Sequence, residues 1–361
     1  MDSITKSVFF SLFVSAIFSG MLCGAKATSL FVFGDSYVDT GNRNQSAQSW
    51  NSPYGMTWPR RPSGRFSNGR LLTDYLAQAM GTSSPVPYAH LQQYINLPEG
   101  VKDGINFAFA GSGVFAGYEP TNFATQVDQF EELLRANLSG LPSLTDSVVL
   151  LSTGGNDYLL YLAANGSLQE LPAYIVNVTG EIVRNVERLH GLGMKKFVIS
   201  NLGNMGCAPY VSAVFGFRRC VKEFDLAIAY HNNLLLQGIK ASLGSGDDAD
   251  FVILDQVAAF SFIFHHQYLF GLKHKLQPCC IGMPGTDTYC AQTSESGESL
   301  FTLCKNPQTH FFWDHIHPTQ AGWAGLTSLF IDNSGFIQSK TPTTNLATWL
   351  SCVQTSRLSP L

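Results

Sequence analysis

Short apolar runs closed by glycine or a polar turn alternate along the chain with longer stretches whose apolar residues recur at helical spacing. The short runs are residues 30–33, 148–152, 196–202 and 251–255. Their β-branched and aromatic content predicts strands buried on both faces. Helical spacing marks residues 71–80, 122–138, 172–192, 217–243 and 319–331. In the second of these, Phe123, Val127, Phe130, Leu133 and Leu134 share one face. Strands alternating with helices predict crossover units and a parallel sheet, so the fold class is α/β. Residues 51–70, rich in Pro, Gly, Ser and Arg, read as a loop, and residues 104–113 as a strand or turn delivering a glycine cluster. The aromatic run 260–270 and the cysteine-rich stretch up to 304 read as irregular, with the Phe side chains packing a core in preference to lining a pocket. No internal repeat or low-complexity linker divides residues 28–361, which read as one domain.

Residues 1–27 stand apart. Lys6 gives a positive start, an apolar run diluted by Ser and Gly follows, and Ala25-Lys26-Ala27 fits a small-x-small cleavage site. The run is short for a membrane span. The expectation is a signal peptide and a secreted, extracellular mature chain with no integral membrane segment. Net charge is −4 with acids and bases interspersed and no basic run, which argues against a nucleic-acid partner. Cys23 leaves with the leader, while Cys207, Cys220, Cys279, Cys280, Cys290, Cys304 and Cys352 remain. They lack the paired C-x-x-C knuckles of zinc sites, so local disulfides are expected. Adjacent Cys279 and Cys280 take different partners, and Cys352 is assigned as the odd thiol; the pairing itself stays open. Asn44, Asn137, Asn165 and Asn177 each begin a glycosylation sequon. Asn44 is close to Ser36 in sequence, where a glycan would crowd whatever Ser36 does.

Four places could carry chemistry. Ser36 follows the first strand at Gly34, which permits a sharp turn and an exposed hydroxyl at the sheet's carboxyl edge, where open α/β sheets build their sites. A Gly-Asp-Ser after a strand is also ordinary turn chemistry. Asp314 and His317 are three apart in WDHIHP, on one side of a single turn, so the carboxylate can fix the imidazole tautomer and leave Nε2 free to take a hydroxyl proton. The plain alternative is a helix cap beside a surface histidine. His315 faces away at that spacing. Asn156 follows the second strand, so its amide should emerge beside Ser36 and can donate to an oxyanion. Gly111 offers a backbone N–H from the glycine cluster, or makes a plain tight turn.

FGDSYVDTGN, GINFAFAGSG, TGGND and WDHIHP occur in that order across nearly the whole mature chain. Together they resemble the four blocks of the GDSL esterase/lipase family of the SGNH hydrolase superfamily, in its secreted plant branch. The stretches SGRFSNGR and NLGNMGCAP resemble that branch as well. The resemblance implies a three-layer α/β/α, flavodoxin-like fold and hydrolysis of carboxylic esters (of a lipid, a polyester or an acylated sugar) without metal or cofactor. It implies Ser36 as nucleophile, His317 as general base, Asp314 as its orienter, and Gly111 and Asn156 as oxyanion donors beside the Ser36 N–H. Two departures stand out. Tyr37 replaces the Leu of the name motif, which bears on substrate preference. Phe109 and Ala110 stand where the family is richer in glycine, which loosens the choice of Gly111 over Gly113. An acyltransferase using the same residues, or a non-catalytic secreted binding module on this fold, are the rival readings. Acyl and alcohol specificity and oligomeric state are not legible in the sequence.

Overall fold

The computed structural model describes residues 27–91, 99–115, 117–246, 248–283 and 285–351. The expected leader up to Lys26 and the thiol of Cys352 lie outside the described residues. In chain order the elements are β1 (Ser29–Gly34), α1 (Leu72–Met80), β2 (Val86–Pro87), α2 (Tyr88–Leu91), β3 (Ile105–Asn106), α3 (Phe123–Arg135), β4 (Ser147–Ser152), α4 (Gly155–Ala163), α5 (Leu171–Gly191), β5 (Lys196–Ser200), α6 (Pro209–Ser212), α7 (Lys222–Leu243), β6 (Asp250–Leu254), α8 (Gln256–His265), β7 (Cys280–Gly282), β8 (Phe301–Leu303), α9 (Gln320–Asp332), β9 (Ile337–Ser339) and α10 (Leu346–Ser351).

Seven strands form one sheet in the order β2-β3-β1-β4-β5-β6-β9. All neighbours run parallel except β6 and β9. The side-chain alternation of the central strands splits the interior into two cores. Leu30, Val32, Leu150, Val198 and Val252 pack against α1, α8, α9 and α10 on one face. Phe31, Phe33, Leu151, Phe197 and Phe251 pack against α3, α5 and α7 on the other. This is the three-layer α/β/α arrangement, and it explains why these strands read as unbroken apolar runs.

Register places the site. Gly34 pairs with Ser152, Ser152 with Ser200, and Ser200 with Leu254. The loops that follow, beginning at Asp35, Thr153, Asn201 and Asp255, therefore leave one edge of the sheet side by side. A third, smaller core of Tyr54, Phe66, Trp313, Cys279, Cys280 and Cys290 packs beside that edge. Cys207–Cys220, Cys279–Cys304 and Cys280–Cys290 are the three disulfides among the described residues.

Three expectations need correction. The run 260–270 is not irregular: its first half belongs to α8, capped by the Asp255 carboxylate, which accepts the Ala258 N–H at 3.1 Å. That helix is apolar nearly all round, so it lacks the one-sided stripe that reveals a helix in sequence. The stretch expected to be helical from residue 217 becomes so only at Lys222; Phe217 has φ 58° and Cys220 is tied back to Cys207. The expected parallel sheet is present, and the three-residue β9 adds one antiparallel edge to it. The cysteine-rich stretch contains the hairpin β7–β8.

Candidate active site

Ser36 is positioned by the peptide before it. Gly34 has φ +139°, and a Cβ built there would lie 1.9 Å from the Ser152 carbonyl oxygen. Only glycine lets β1 approach β4 this closely at its end. The buried Gln126 of α3 then clamps the Gly34 peptide on both sides, its Oε1 accepting the Gly34 N–H at 2.7 Å and its Nε2 donating to the Gly34 carbonyl at 2.8 Å. Beyond Ser36, the Asp39 carboxylate accepts the N–H groups of Gly41, Asn42 and Ala110. Asn42 donates to the carbonyls of Asn106 and Ala108, and Asn106 donates to Val38 O and Thr40 Oγ1. The polar residues of GDSYVDTGN thus staple the Ser36 turn to the glycine-bearing turn after β3.

His317 arrives from the other end of the chain. Its Nε2 lies 2.7 Å from Ser36 Oγ, and its Nδ1 lies 2.8 Å from each oxygen of Asp314. Asp314 also accepts the Ile316 and His317 backbone N–H groups at 2.9 and 2.8 Å and the Tyr54 hydroxyl at 2.8 Å. Burial pushes the Asp314 carboxyl up, but the His317 charge and these hydrogen bonds outweigh it and hold the group below its ordinary value. The imidazole sits between two rings, with centroids 4.9 Å from Phe66 and 5.9 Å from Tyr37. Tyr37 donates its hydroxyl to the Ile316 carbonyl at 3.0 Å, so this departure from the family motif braces the histidine loop. His315 contributes its carbonyl, which accepts the Tyr210 N–H at 2.7 Å.

Asn156 opens α4 after Gly154, whose φ of +105° turns the chain from β4 into the helix. Asn156 Nδ2 donates one hydrogen to the Ser112 carbonyl at 2.7 Å. The next residue, Asp157, accepts the Val114 and Phe115 N–H groups at 2.8 and 3.1 Å. Gly111 precedes this seam at φ +89°, with its carbonyl accepting the Tyr118 N–H. The sequence brought out Ser36, His317, Asp314 and Asn156; it gave no hint of Tyr54 or Gln126, because neither sits in a motif and each acts across more than 90 residues of chain.

The model of the family described as GDSL-like Lipase/Acylhydrolase matches residues 30–326. The chain belongs to that family. Among its relatives, the Arabidopsis thaliana GDSL esterase/lipase At5g03610 is 37% identical over 351 residues, covering 91% of this chain and 97% of the relative. GDSL esterase/lipase At3g09930 of the same plant is 38% identical over 310 residues, covering 83% of this chain and 86% of the relative. Acetylajmalan esterase 2 of Rauvolfia serpentina is 28% identical, covering 90% of this chain and 95% of the relative. Family membership makes this chain a carboxylic ester hydrolase.

In this GDSL-family chain a cleft opens at the sheet edge between the ends of β1, β4, β5 and β6. Ser36, Tyr37 and Asn156 line it together with Leu159, Phe260 and Phe312. Phe260 of the aromatic run therefore serves both the core and the cleft wall. Gly111 lies outside this lining. Asp35 lies in the wall, and burial pushes its carboxyl up to about 7 against the Tyr37 N–H and His317, which pull it down. No helix among the described residues is long and apolar enough to cross a membrane. The four sequon asparagines, Asn44, Asn137, Asn165 and Asn177, are all exposed, the last on α5.

Proposed function

We propose that this chain is a secreted serine esterase in which Ser36 is the nucleophile, His317 the general base and Asp314 its orienter. One observation carries the reading: Ser36 Oγ, the imidazole and the Asp314 carboxylate form an unbroken hydrogen-bonded chain at 2.7 and 2.8 Å, assembled from residues 281 positions apart. Ser36 Oγ attacks the ester carbonyl as His317 Nε2 takes its proton. Asp314 holds Nδ1–H and stabilises the imidazolium. The Ser36 N–H, the Gly111 N–H and the second hydrogen of Asn156 Nδ2 receive the oxyanion; the bond from Asn156 to the Ser112 carbonyl fixes the amide for that purpose. His317 then protonates the leaving alcohol, and water clears the acyl-enzyme by the same route. None of these steps calls on a metal or cofactor. Three disulfides support the secreted reading, since such bonds persist in oxidising compartments, and exposure of the four asparagines is compatible with glycosylation there.

The test is hydrolysis of a short p-nitrophenyl ester. Ser36→Ala is expected to abolish turnover with an unchanged unfolding transition, and unchanged turnover refutes the nucleophile. Asn156→Ala is expected to lose roughly 10²–10³-fold in kcat, the effect of deleting one oxyanion donor. A loss near twofold would make Asn156 a turn residue only.

A further inference from the structure

Gln126 is the polar exception on the buried face of α3. Phe123, Val127 and Phe130 of that face pack into one of the two cores, and Gln126 among them is fully buried. Burying an amide costs free energy unless its groups are paired. Here both ends are. Oε1 accepts the Gly34 N–H at 2.7 Å, and Nε2 donates to the Gly34 carbonyl at 2.8 Å and to Ser112 Oγ at 3.0 Å. The orientation of the amide follows from its backbone partners, since an N–H only donates and a carbonyl only accepts.

The proposed oxyanion donors come from three separate segments: Ser36 after β1, Gly111 after β3 and Asn156 at the head of α4. Ser112 joins them. Its Oγ–H donates to the Gly34 carbonyl at 2.8 Å, and its own carbonyl accepts Asn156 Nδ2 at 2.7 Å. The Gln126 amide grips both sides of the first joint, Gly34 two residues before Ser36 and Ser112 one residue after Gly111. One buried side chain therefore sets the spacing among all three segments. Gln126 does not belong to the lining of the cleft beside Ser36, so it acts through the groups it holds.

We propose that Gln126 is a positioning residue for ester hydrolysis: it keeps the Ser36, Gly111 and Asn156 donors at the spacing the oxyanion needs, and so acts on kcat and not on substrate binding. The proposal rests on the serine-esterase reading. Oxyanion donors stabilise the tetrahedral intermediate only when they are aimed in advance at the place its oxygen will take, and a misplacement of about 1 Å costs about 10²-fold in rate. Loosening the joint between Gly34 and Ser112 weakens the hole and leaves the walls that receive the substrate as they are.

The experiment measures kcat and KM for a short p-nitrophenyl ester, and Ki for a trifluoromethyl ketone with the same acyl chain. Ser36 Oγ adds to the ketone carbon, its proton passes to His317, and the hemiketal oxyanion occupies the hole. Gln126→Leu is expected to lower kcat and kcat/KM alike by roughly 10²-fold, with KM within about twofold of wild type, and to raise Ki in the same proportion. Ki does not depend on the fraction of active molecules, so partial loss of folded protein does not imitate this result. Gln126→Glu is the conservative variant. Its protonated carboxyl accepts the Gly34 N–H through one oxygen and donates to the Gly34 carbonyl through the other, and burial favours that neutral form. At about pH 6 it is expected to recover at least roughly tenfold of the lost rate, read as a ratio to wild type at the same pH. Should Gln126→Leu not fold, the same two readouts are taken on Ser112→Ala, which opens the joint from its other side; kcat/KM is expected to fall and Ki to rise together by roughly tenfold. A wild-type Ki in these variants overturns the proposal, as does a loss confined to KM or a Gln126→Glu rate no better than that of Gln126→Leu. If Ser36→Ala is inactive while Gln126→Leu keeps wild-type kcat and Ki, the positioning role falls and the serine reading stands. If Ser36→Ala keeps full turnover, both fall.

Discussion

Tyr54 donates its hydroxyl to an Asp314 oxygen from a loop 260 residues earlier in the chain, adding to the two backbone N–H groups that hold the carboxylate. Tyr54→Phe keeps the ring that packs on Phe66 and Trp313 but removes the donor. A hydrogen bond to a buried charge is worth about 1.5–3 kcal/mol, so urea denaturation is expected to register a loss of that order. Turnover should fall with it, because a less firmly held carboxylate orients His317 less well; full stability and full rate in the variant would remove Tyr54 from the site. Asp314→Asn alters the tautomer His317 adopts and is expected to cost far more rate than stability, read as kcat at constant unfolding midpoint. Asp35 sets a pH dependence of its own. Its carboxyl rises from 3.8 to about 7 on folding, so the folded chain holds this proton more tightly than the unfolded one. The stability it contributes is fully present below about pH 4 and is lost as pH climbs through about 7. Asp39 and Asp157, raised to about 6 by burial, add to the same trend. Thermal unfolding of Asp35→Asn between about pH 5 and about pH 8 should show a shallower decline than wild type, and an unaltered slope would mean that Asp35 does not carry the proton.

At the level of elements, the end of β1 fixes where the hydroxyl stands. Gly34→Ala would drive a methyl into the Ser152 carbonyl at a φ that side chains avoid. The expected cost is on the order of 3 kcal/mol or more, from strain and displacement together, and wild-type stability by denaturant titration would contradict the close approach of β1 to β4. Much of this level was legible in the sequence. β1, β4, β5 and β6 are buried on both faces and so spell continuous apolar runs, while α3 and α5 each face one core and so spell a stripe. Legibility failed where one-sided burial failed. α8 is wrapped by the core and by α9, and its Phe, Ala and Ile residues show no polar side. α4 hides behind Gly-Gly-Asn-Asp, which spells a turn because it is also one, with Gly154 at positive φ just before the helix. β9 is too short to carry a period. In the site, the residues proposed to react were readable because the proposed chemistry forces fixed residue types. Gln126 was not, since an amide acting from a helix on the distant Gly34 peptide leaves no local pattern.

Over the whole molecule, the loop carrying Asp314 and His317 is backed by a region that the disulfides clip together. The Cys279 and Cys280 N–H groups donate to the carbonyls of Phe312 and Trp313, the residues that lead into Asp314. Their sulfurs tie the same strand to Cys304 and Cys290. The cysteine-rich stretch is thus a brace behind the histidine loop. Replacing Cys279 and Cys304 together by Ser is expected to cost about 2–4 kcal/mol, and to lower ester turnover before global unfolding, as seen by comparing activity with near-ultraviolet circular dichroism along a temperature ramp. Coincident loss of both signals would make the brace purely a stabiliser of the fold. The central claim is that β1, the α4 turn and the 314–317 loop meet to activate one serine out of many. Reaction with a fluorophosphonate, followed by mass spectrometry of the digested protein, tests it directly. The account predicts a single adduct on the peptide containing Ser36, absent in Ser36→Ala and formed roughly 10³-fold or more slowly in His317→Ala. An unmodified wild-type protein, or an adduct on a different serine, would contradict it.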